Sequence, residues 1–128
     1  MPIDDIVEAA RARIHRATVE ETRQALSEGA IVIDVRDSAD LRRTGIIPGS
    51  IPIARSVLEW RCDPACESRD ERVAQPTERT IVVCDEGYSS SLAADSLRTL
   101  GFTRVGDLIG GVDAWRAEGL PTQPYEGR

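Results

Sequence analysis

The sequence predicts a three-layer α/β fold in which a central, mostly parallel sheet is flanked by helices on both faces. Two apolar, β-branched runs, residues 31–35 and 80–83, lack the alternation of a half-exposed strand and are typical of strands buried on both sides. Segments with helical spacing of apolar residues follow both runs. This alternation of strands and helices favours parallel pairing, because parallel neighbours need a crossover connection.

Length and charge restrict the organisation and the chemistry. A chain of 128 residues is expected to form one domain over residues 1–128. The net charge is −6 and all sixteen basic residues are arginine, which excludes Schiff-base chemistry through lysine. We expect no nucleic-acid partner, because the acidic chain lacks a basic run and a Cys/His zinc module.

The N-terminal residues do not have the pattern of a targeting signal. Residues 1–5 lack a basic segment followed by an apolar one, and no apolar run approaches the ~20 residues of a membrane span. We therefore expect a cytoplasmic protein with no membrane partner. In that compartment the three cysteines would stay reduced unless one of them is used for chemistry.

The first third of the chain predicts two helices and a buried strand. Residues 1–16 are expected to form a helical extension, with the sole histidine, His15, as a solvated or edge residue at its end. Thr18 and Glu21 have the spacing of a capping box, which starts a helix that runs to Ser27. Gly29 is expected to close that helix just before the strand at residues 31–35.

The middle of the chain predicts shorter elements. A helical turn is expected at residues 38–43, a brief strand at 51–53 and a helix at 56–60. Pro52 places that strand at the edge of the sheet, because proline cannot donate a ladder hydrogen bond. Residues 61–79 are rich in charge and proline and predict a polar excursion over the surface.

The last third places a cysteine at the end of a buried strand. The strand at residues 80–83 is followed directly by Cys84, a glycine-containing loop and a helix that Gly101 ends. A last strand is expected from residue 104, and a final helix after Gly110 and Gly111. Ligands of parallel sheets bind beyond the carboxyl ends of the strands, which is where Cys84 lies.

The loop after Cys84 is suited to hold an anionic sulfur. Successive backbone N–H groups in such a loop can surround the sulfur, and the start of the following helix adds partial positive charge. A thiolate or persulfide could be stabilised in this way without a histidine base. The alternative is that Cys84 is a small buried hydrophobic residue, since free cysteine is often buried.

Three motifs carry a resemblance to a known family. In chain order they are Asp34-Val35-Arg36 with Ile47-Pro48-Gly49-Ser50-Ile51, Cys84-Asp85-Glu86-Gly87-Tyr88-Ser89-Ser90, and Gly110-Gly111-Val112-Asp113-Ala114-Trp115 with Gly119-Leu120-Pro121. With these motifs the chain resembles single-domain members of the rhodanese family, from about Thr18 to Pro121.

The resemblance implies a rhodanese-like fold and sulfur transfer. Cys84 would accept sulfane sulfur from a small-molecule or protein persulfide donor and pass it to a thiol or cyanide acceptor. The anion cradle would be the loop formed by Asp85, Glu86, Gly87, Tyr88, Ser89 and Ser90. Asp34 and Arg36 would be framework residues that support the loop, and neither a cofactor nor a metal would be needed.

The loop departs from the family in its charge. Relatives often carry an arginine near the position of Ser89, whereas this loop has the carboxylates of Asp85 and Glu86. Like charges near a thiolate disfavour its charged form and repel an anionic donor, so thiosulfate is expected to be a poor donor. Alternatively, both carboxylates simply point to water. Arg55 or Arg61 could supply the missing positive charge.

Three further positions allow several interpretations. Ile46 stands where relatives often have histidine, so no catalytic role is assigned to it. Cys62 and Cys66 could be surface thiols without a role, a reversible disulfide or thiols that resolve a persulfide on Cys84. Closed zinc coordination is disfavoured, because the sequence has no second pair of ligands.

Two other functions compete with sulfur transfer. A phosphatase or arsenate reductase on the same fold would need an arginine at the end of a longer cysteine loop, where this chain has Ser89 and Ser90. A non-catalytic or redox-regulated protein-binding module is the second alternative. Such a module is expected to have a slowly reacting Cys84, whereas a transferase should have a rapidly reacting one.

Overall fold

The computed structural model describes residues 1–127 and contains five strands and six α-helices. The strands are β1 (His15–Ala17), β2 (Ile31–Asp34), β3 (Ile51–Pro52), β4 (Thr80–Val83) and β5 (Val105–Leu108). The helices are α1 (Ile3–Arg11), α2 (Val19–Ser27), α3 (Ser38–Thr44), α4 (Leu58–Cys62), α5 (Ser89–Thr99) and α6 (Gly111–Ala117), with a 3₁₀ turn at Arg55–Val57 before α4.

The five strands form one parallel sheet in the order β1-β5-β4-β2-β3. Strands β2 and β4 pair in register from Ile31 with Thr80 to Asp34 with Val83, so both end at the same edge. Pro52 lies in the outer strand β3, as predicted. The predicted sheet is therefore confirmed, and its carboxyl edge presents Asp34 and Cys84 side by side.

Side chains of β2 and β4 alternate between two separate cores. Ile33 and Val82 pack in a core that includes Leu97 of α5, Leu58 of α4 and Phe102. The neighbouring strand residues Val32 and Ile81 pack in the other core with Val19 and Ala25 of α2 and with Val112 and Trp115 of α6. Because both faces of the sheet are covered, the predicted three-layer α/β fold is confirmed.

The predicted N-terminal extension of residues 1–16 is only partly helical. Helix α1 ends at Arg11, and His15 already belongs to β1, the outer strand that pairs with β5. A strand of three residues is too short to show a periodic pattern, so β1 has no signal in the sequence. His15 is exposed beside Glu21, and the predicted capping box between Thr18 and Glu21 is present.

The predicted surface excursion at residues 61–79 consists mainly of turns, but part of it enters the core. Cys62 and Val73 are completely buried, and Ala74 is nearly so. The interpretation of Cys62 as a surface thiol was therefore wrong, because α4 directs this residue toward the core on α5. Burial, followed by the charges of Glu59 and Asp70, raises the pKa of the Cys62 thiol to about 12.

Candidate active site

The sulfur of Cys84 lies in a cradle of backbone N–H groups. The residue is 6% exposed, and its Sγ accepts hydrogen bonds from the N–H groups of Gly87 at 3.2 Å and Ser90 at 3.3 Å. Helix α5 begins at Ser89, so Ser90 donates from the first turn of an eleven-residue helix. The positive end of that helix and the two donors both favour a negative charge on the sulfur.

Other N–H groups of the loop remain available to a second atom. Among residues 1–127, the backbone N–H groups of Glu86, Tyr88 and Ser89 have no hydrogen-bond acceptor. A cavity of about 290 Å³ opens in front of the sulfur. Its walls are formed by Val35, Arg36, Asp40, Cys84, Asp85, Glu86, Tyr88 and Ser89. This cavity has room for a small sulfur donor or for the end of a flexible chain.

Arg36 is a buried guanidinium that joins the two central strand ends. Its side chain is 2% exposed and donates to Asp34 Oδ2 at 2.8 Å and Asp85 Oδ1 at 3.0 Å. It also donates to Thr44 Oγ1 at 2.8 Å and to the carbonyl of Gly45 at 3.0 Å. Burial alone would lower the pKa of Arg36, but its hydrogen bonds to Asp34 and Asp85 outweigh burial, so the pKa is raised.

The two loop carboxylates have different surroundings. Asp85 accepts from Arg36 and, at 3.3 Å, from Nη2 of Arg43, so two guanidinium groups contact its carboxylate. Glu86 is exposed and forms no ion pair with any residue that the structure describes. Arg36 also pairs with Asp34 and Arg43 with Asp40, so three carboxylates share two guanidinium groups. Asp85 thus belongs to an ion-pair network, whereas Glu86 does not.

Arg55 and Arg61 do not line the cavity in front of Cys84. Arg55 is paired with Glu59 at 2.9 Å, and Arg61 donates to the carbonyl of Ser68 at 2.9 Å. The guanidinium at the cavity wall belongs instead to Arg36. Ile46 is buried and forms an antiparallel bridge with Gln123.

Gly110 and Gly111 of the third motif lie next to the loop that follows Cys84. Gly110 and Gly111 have φ angles of +76° and +62°, and α6 begins at Gly111. The N–H of Val112 donates to the carbonyl of Cys84 at 2.9 Å, and the N–H of Asp113 donates to that of Asp85 at 3.0 Å. Helix α6 is thereby attached to the backbone that carries the sulfur of Cys84.

Three charged residues at the loop were missed in the sequence. Asp107 in β5 is completely buried, and Arg11 and Arg16 reach the loop from the N-terminal segment. Asp107 offered a usable signal, because a carboxylate within an apolar strand needs a buried partner. The two arginines gave none, since their role depends on the position of β1.

Neither Cys62 nor Cys66 lines the cavity in front of Cys84. Cys66 is half-buried beside Trp60 and Leu100, and the three cysteines are free thiols. A larger cavity, of about 580 Å³, lies at the opposite edge of the sheet, where β4 and β5 begin, and contains no cysteine. Within residues 1–127, no group of three or more metal-binding side chains is found, and no helix is long and apolar enough to cross a membrane.

Comparison with known proteins agrees with this geometry. The family model described as "Rhodanese-like domain" matches residues 18–118. A sulfurtransferase of Allochromatium vinosum is 29% identical over 82% of this chain and 89% of its own length. The thiosulfate sulfurtransferase GlpE of Pseudomonas savastanoi is 33% identical over 84% of this chain and 92% of its own. Two longer maize relatives, named adenylyltransferase and sulfurtransferase, are matched over 23% and 22% of their lengths.

Two solved structures extend the likeness over nearly the whole chain. A Rhodopseudomonas palustris protein, described as of unknown function and as a possible tyrosine phosphatase, has a TM-score of 0.88 and 27% identity and covers 96% of this chain and 95% of its own. The polysulfide-sulfur transferase of Wolinella succinogenes has a TM-score of 0.77 and 26% identity, with coverage of 97% and 88%. The sheet, the cysteine loop and the family match together show that this chain belongs to the rhodanese-like family.

Proposed function

We propose that this protein is a sulfurtransferase that carries sulfur as a persulfide on Cys84. The observation that supports this most directly is the set of backbone N–H groups around Sγ. Gly87 and Ser90 already donate to the sulfur, and the unpaired N–H groups of Glu86, Tyr88 and Ser89 could receive a second, terminal sulfur. A terminal persulfide sulfur is negatively charged, which matches a cradle that contains only donors.

The reaction would proceed in two displacement steps. The Cys84 thiolate attacks the sulfane sulfur of the donor, a new Sγ–S bond forms, and the donor's S–S bond breaks to release a thiolate, or sulfite from thiosulfate. A nucleophilic acceptor then attacks the terminal sulfur. The Sγ–S bond breaks, its electron pair returns to Sγ, and the acceptor leaves with the sulfur atom. No oxidant and no cofactor is consumed.

The charge around the loop favours donors that are not strongly anionic. Asp34, Asp40 and Asp85 share the two positive charges of Arg36 and Arg43, and the unpaired Glu86 adds a further negative charge at the cavity. Thiosulfate carries two negative charges, whereas a persulfide group carries one. We therefore infer that a persulfide, free or on a partner protein, is the better donor, although a relative is named as a thiosulfate sulfurtransferase.

Intact-mass spectrometry after incubation with thiosulfate or with a low-molecular-weight persulfide tests the proposed function. We expect the mass of one added sulfur atom, located on the Cys84 peptide and released by cyanide or a thiol. Cys84→Ala should remain unmodified, whereas Cys62→Ala/Cys66→Ala should still take up sulfur. If neither donor adds sulfur to the native protein, the proposal fails and a protein-binding module becomes the better explanation.

Replacing Glu86 by glutamine is expected to favour thiosulfate. Removing the exposed charge should raise kcat/KM for thiosulfate by about threefold at low ionic strength, and added salt should reduce the gain because it screens the charge. A persulfide donor with a single negative charge serves as the comparison and should show a smaller gain than the thiosulfate dianion. Equal rates of native protein and variant with thiosulfate, at low salt, would contradict the role of Glu86 in donor choice.

The phosphatase alternative is suggested by the description of the Rhodopseudomonas neighbour. A phosphate cradle would require a free guanidinium at the end of the loop, but Ser90 stands there and its hydroxyl donates to Asp107 at 2.8 Å. Arg36, at the cavity wall, is bound to Asp34 and Asp85. We therefore expect no hydrolysis of an aryl phosphate under conditions in which sulfur transfer is measurable.

A further inference from the structure

We propose that Arg11 and Arg16 are positioning residues that keep backbone N–H groups of the loop, and not its carbonyl oxygens, directed toward the sulfur of Cys84. Asp107 holds Arg16 in place for this role. This inference rests on the proposed function, because it concerns the same loop. Both arginines precede residues 18–118, the part of the chain that the family model matches. They lie in the N-terminal segment, outside the residues of that match.

Two arginine side chains bind the carbonyl oxygen of Gly87. This oxygen accepts from Nη2 of Arg11 at 2.7 Å and from Nη2 of Arg16 at 2.9 Å. A trans peptide points its N–H away from its C=O, so two guanidinium groups that fix this oxygen also fix the direction of the Tyr88 N–H. That N–H is one of the unpaired donors of the loop.

The backbone at Gly87 can rotate easily unless other groups hold it. Its φ angle is +84°, and glycine can change its backbone angles at low cost. Rotation of the peptide between Gly87 and Tyr88 would exchange the directions of its carbonyl oxygen and its N–H. An oxygen facing the sulfur would repel a thiolate or a persulfide. Two charged hydrogen bonds to the carbonyl oppose this rotation.

The same arginines are also linked to Ser90, the second residue whose N–H donates to Sγ of Cys84. The buried carboxylate of Asp107 accepts from Arg16 Nε at 3.0 Å and from the hydroxyls of Ser90 at 2.8 Å and Ser91 at 2.7 Å. Arg11 Nε donates to the Ser91 hydroxyl at 3.0 Å. The residue whose N–H donates to Sγ is therefore fixed by its own side chain.

The charge of this network also suits an anionic sulfur. Arg11 and Arg16 carry two positive charges and Asp107 carries one negative charge, so the network contributes a net positive charge behind the loop. Arg11 additionally lies over the ring of Tyr88, 5.2 Å from its centre, which restrains the exposed tip of the loop. The N-terminal segment thus supports both the geometry and the charge of the cradle.

The test compares Arg11→Gln with Arg13→Gln. Both arginines link the N-terminal segment to α5, but Arg13 binds Asp95 in a two-bond ion pair, at 2.9 and 2.7 Å, and does not touch the loop. The rate of alkylation of Cys84 by iodoacetamide, followed against pH without any sulfur donor, is the first measurement. Single-turnover loading of sulfur from a persulfide is the second.

We expect Arg11→Gln to lower both rates by about tenfold and to move the alkylation profile to higher pH, since weakening one charged hydrogen bond changes an equilibrium by about that factor. Arg13→Gln should leave the alkylation profile unchanged. Native-like alkylation and loading in Arg11→Gln would overturn the proposal. Because alkylation needs no donor, this outcome differs from a failure of sulfur transfer itself.

A second variant addresses Arg16 without leaving a buried charge alone. Arg16→Gln/Asp107→Asn removes both members of the pair and keeps polar groups in their places, which avoids an unpaired carboxylate in the interior. This double variant should show the same shift of the alkylation profile, while urea unfolding confirms that it is folded. A folded double variant with the native alkylation profile would likewise overturn the proposal.

Discussion

Replacing Arg36 by methionine is expected to lower the free energy of unfolding by about 3–5 kcal/mol, because it leaves the buried carboxylate of Asp34 without its partner. Asp34 is completely buried at the end of β2, so water cannot replace the lost guanidinium. The methionine also removes the bonds to Thr44 and to the carbonyl of Gly45, which attach the end of α3 to the sheet. Urea unfolding of the native protein and the variant measures the loss.

Arg43→Met is the matched control for this prediction. Arg43 also donates to Asp85, but its side chain is 55% exposed, and exposed ion pairs are weakened by water and by salt. We expect Arg43→Met to change the unfolding midpoint far less than Arg36→Met does. If the two variants lose the same stability, the buried pair of Arg36 and Asp34 does not carry the energy assigned to it.

Replacing Gly111 by alanine is expected to cost several kcal/mol and to displace the cysteine loop. A Cβ at this position would lie 2.5 Å from the carbonyl oxygen of Asp85, far inside normal contact. The positive φ of +62° adds about 1–2 kcal/mol of backbone strain, and overpacking adds about 1–3 kcal/mol. Since that carbonyl accepts the N–H of Asp113, the clash should also break the attachment of α6 to the loop.

Gly119→Ala separates the two contributions to this effect. Its φ is +77°, close to that of Gly111, but among residues 1–127, apart from Gly119 itself and its chain neighbours, no atom lies within 4 Å of the added Cβ. We expect it to show only the strain of about 1–2 kcal/mol and to keep its rate of sulfur transfer. Gly111→Ala should lose more stability and at least about tenfold in rate, since one donor to a reacting charge can carry that much. Equal losses in both variants would show that the close approach of Gly111 to the loop has no role.

Much of the fold could be predicted from the sequence because its signals are local. The unbroken apolar runs of β2 and β4 identify strands buried on both faces, and the spacing of Thr18 and Glu21 identifies the start of α2. Strand β1 could not be predicted, because its three residues form a strand only when β5 lies beside them.

The candidate site, like the fold, could be predicted only in part. Cys84 and the glycine-containing loop could be recognised because strand, cysteine and helix follow one another directly along the chain. The pairing of the charges around the sulfur could not be predicted, because Asp85 and Arg36 are 49 positions apart along the chain and Arg16 and Asp107 are 91 apart. The sequence shows how many charges exist but not which of them are paired.

By itself, then, the sequence determined the α/β class, the position of Cys84 at the carboxyl end of a central strand, and a loop able to present N–H groups to it. Only the tertiary structure decided that Asp85 is paired with Arg36 and Arg43, that Cys62 is buried, and that the N-terminal arginines reach Gly87. The physical reason is that hydrogen-bonding patterns of helices and strands depend on near neighbours, whereas burial and the pairing of charges depend on residues that are distant along the chain.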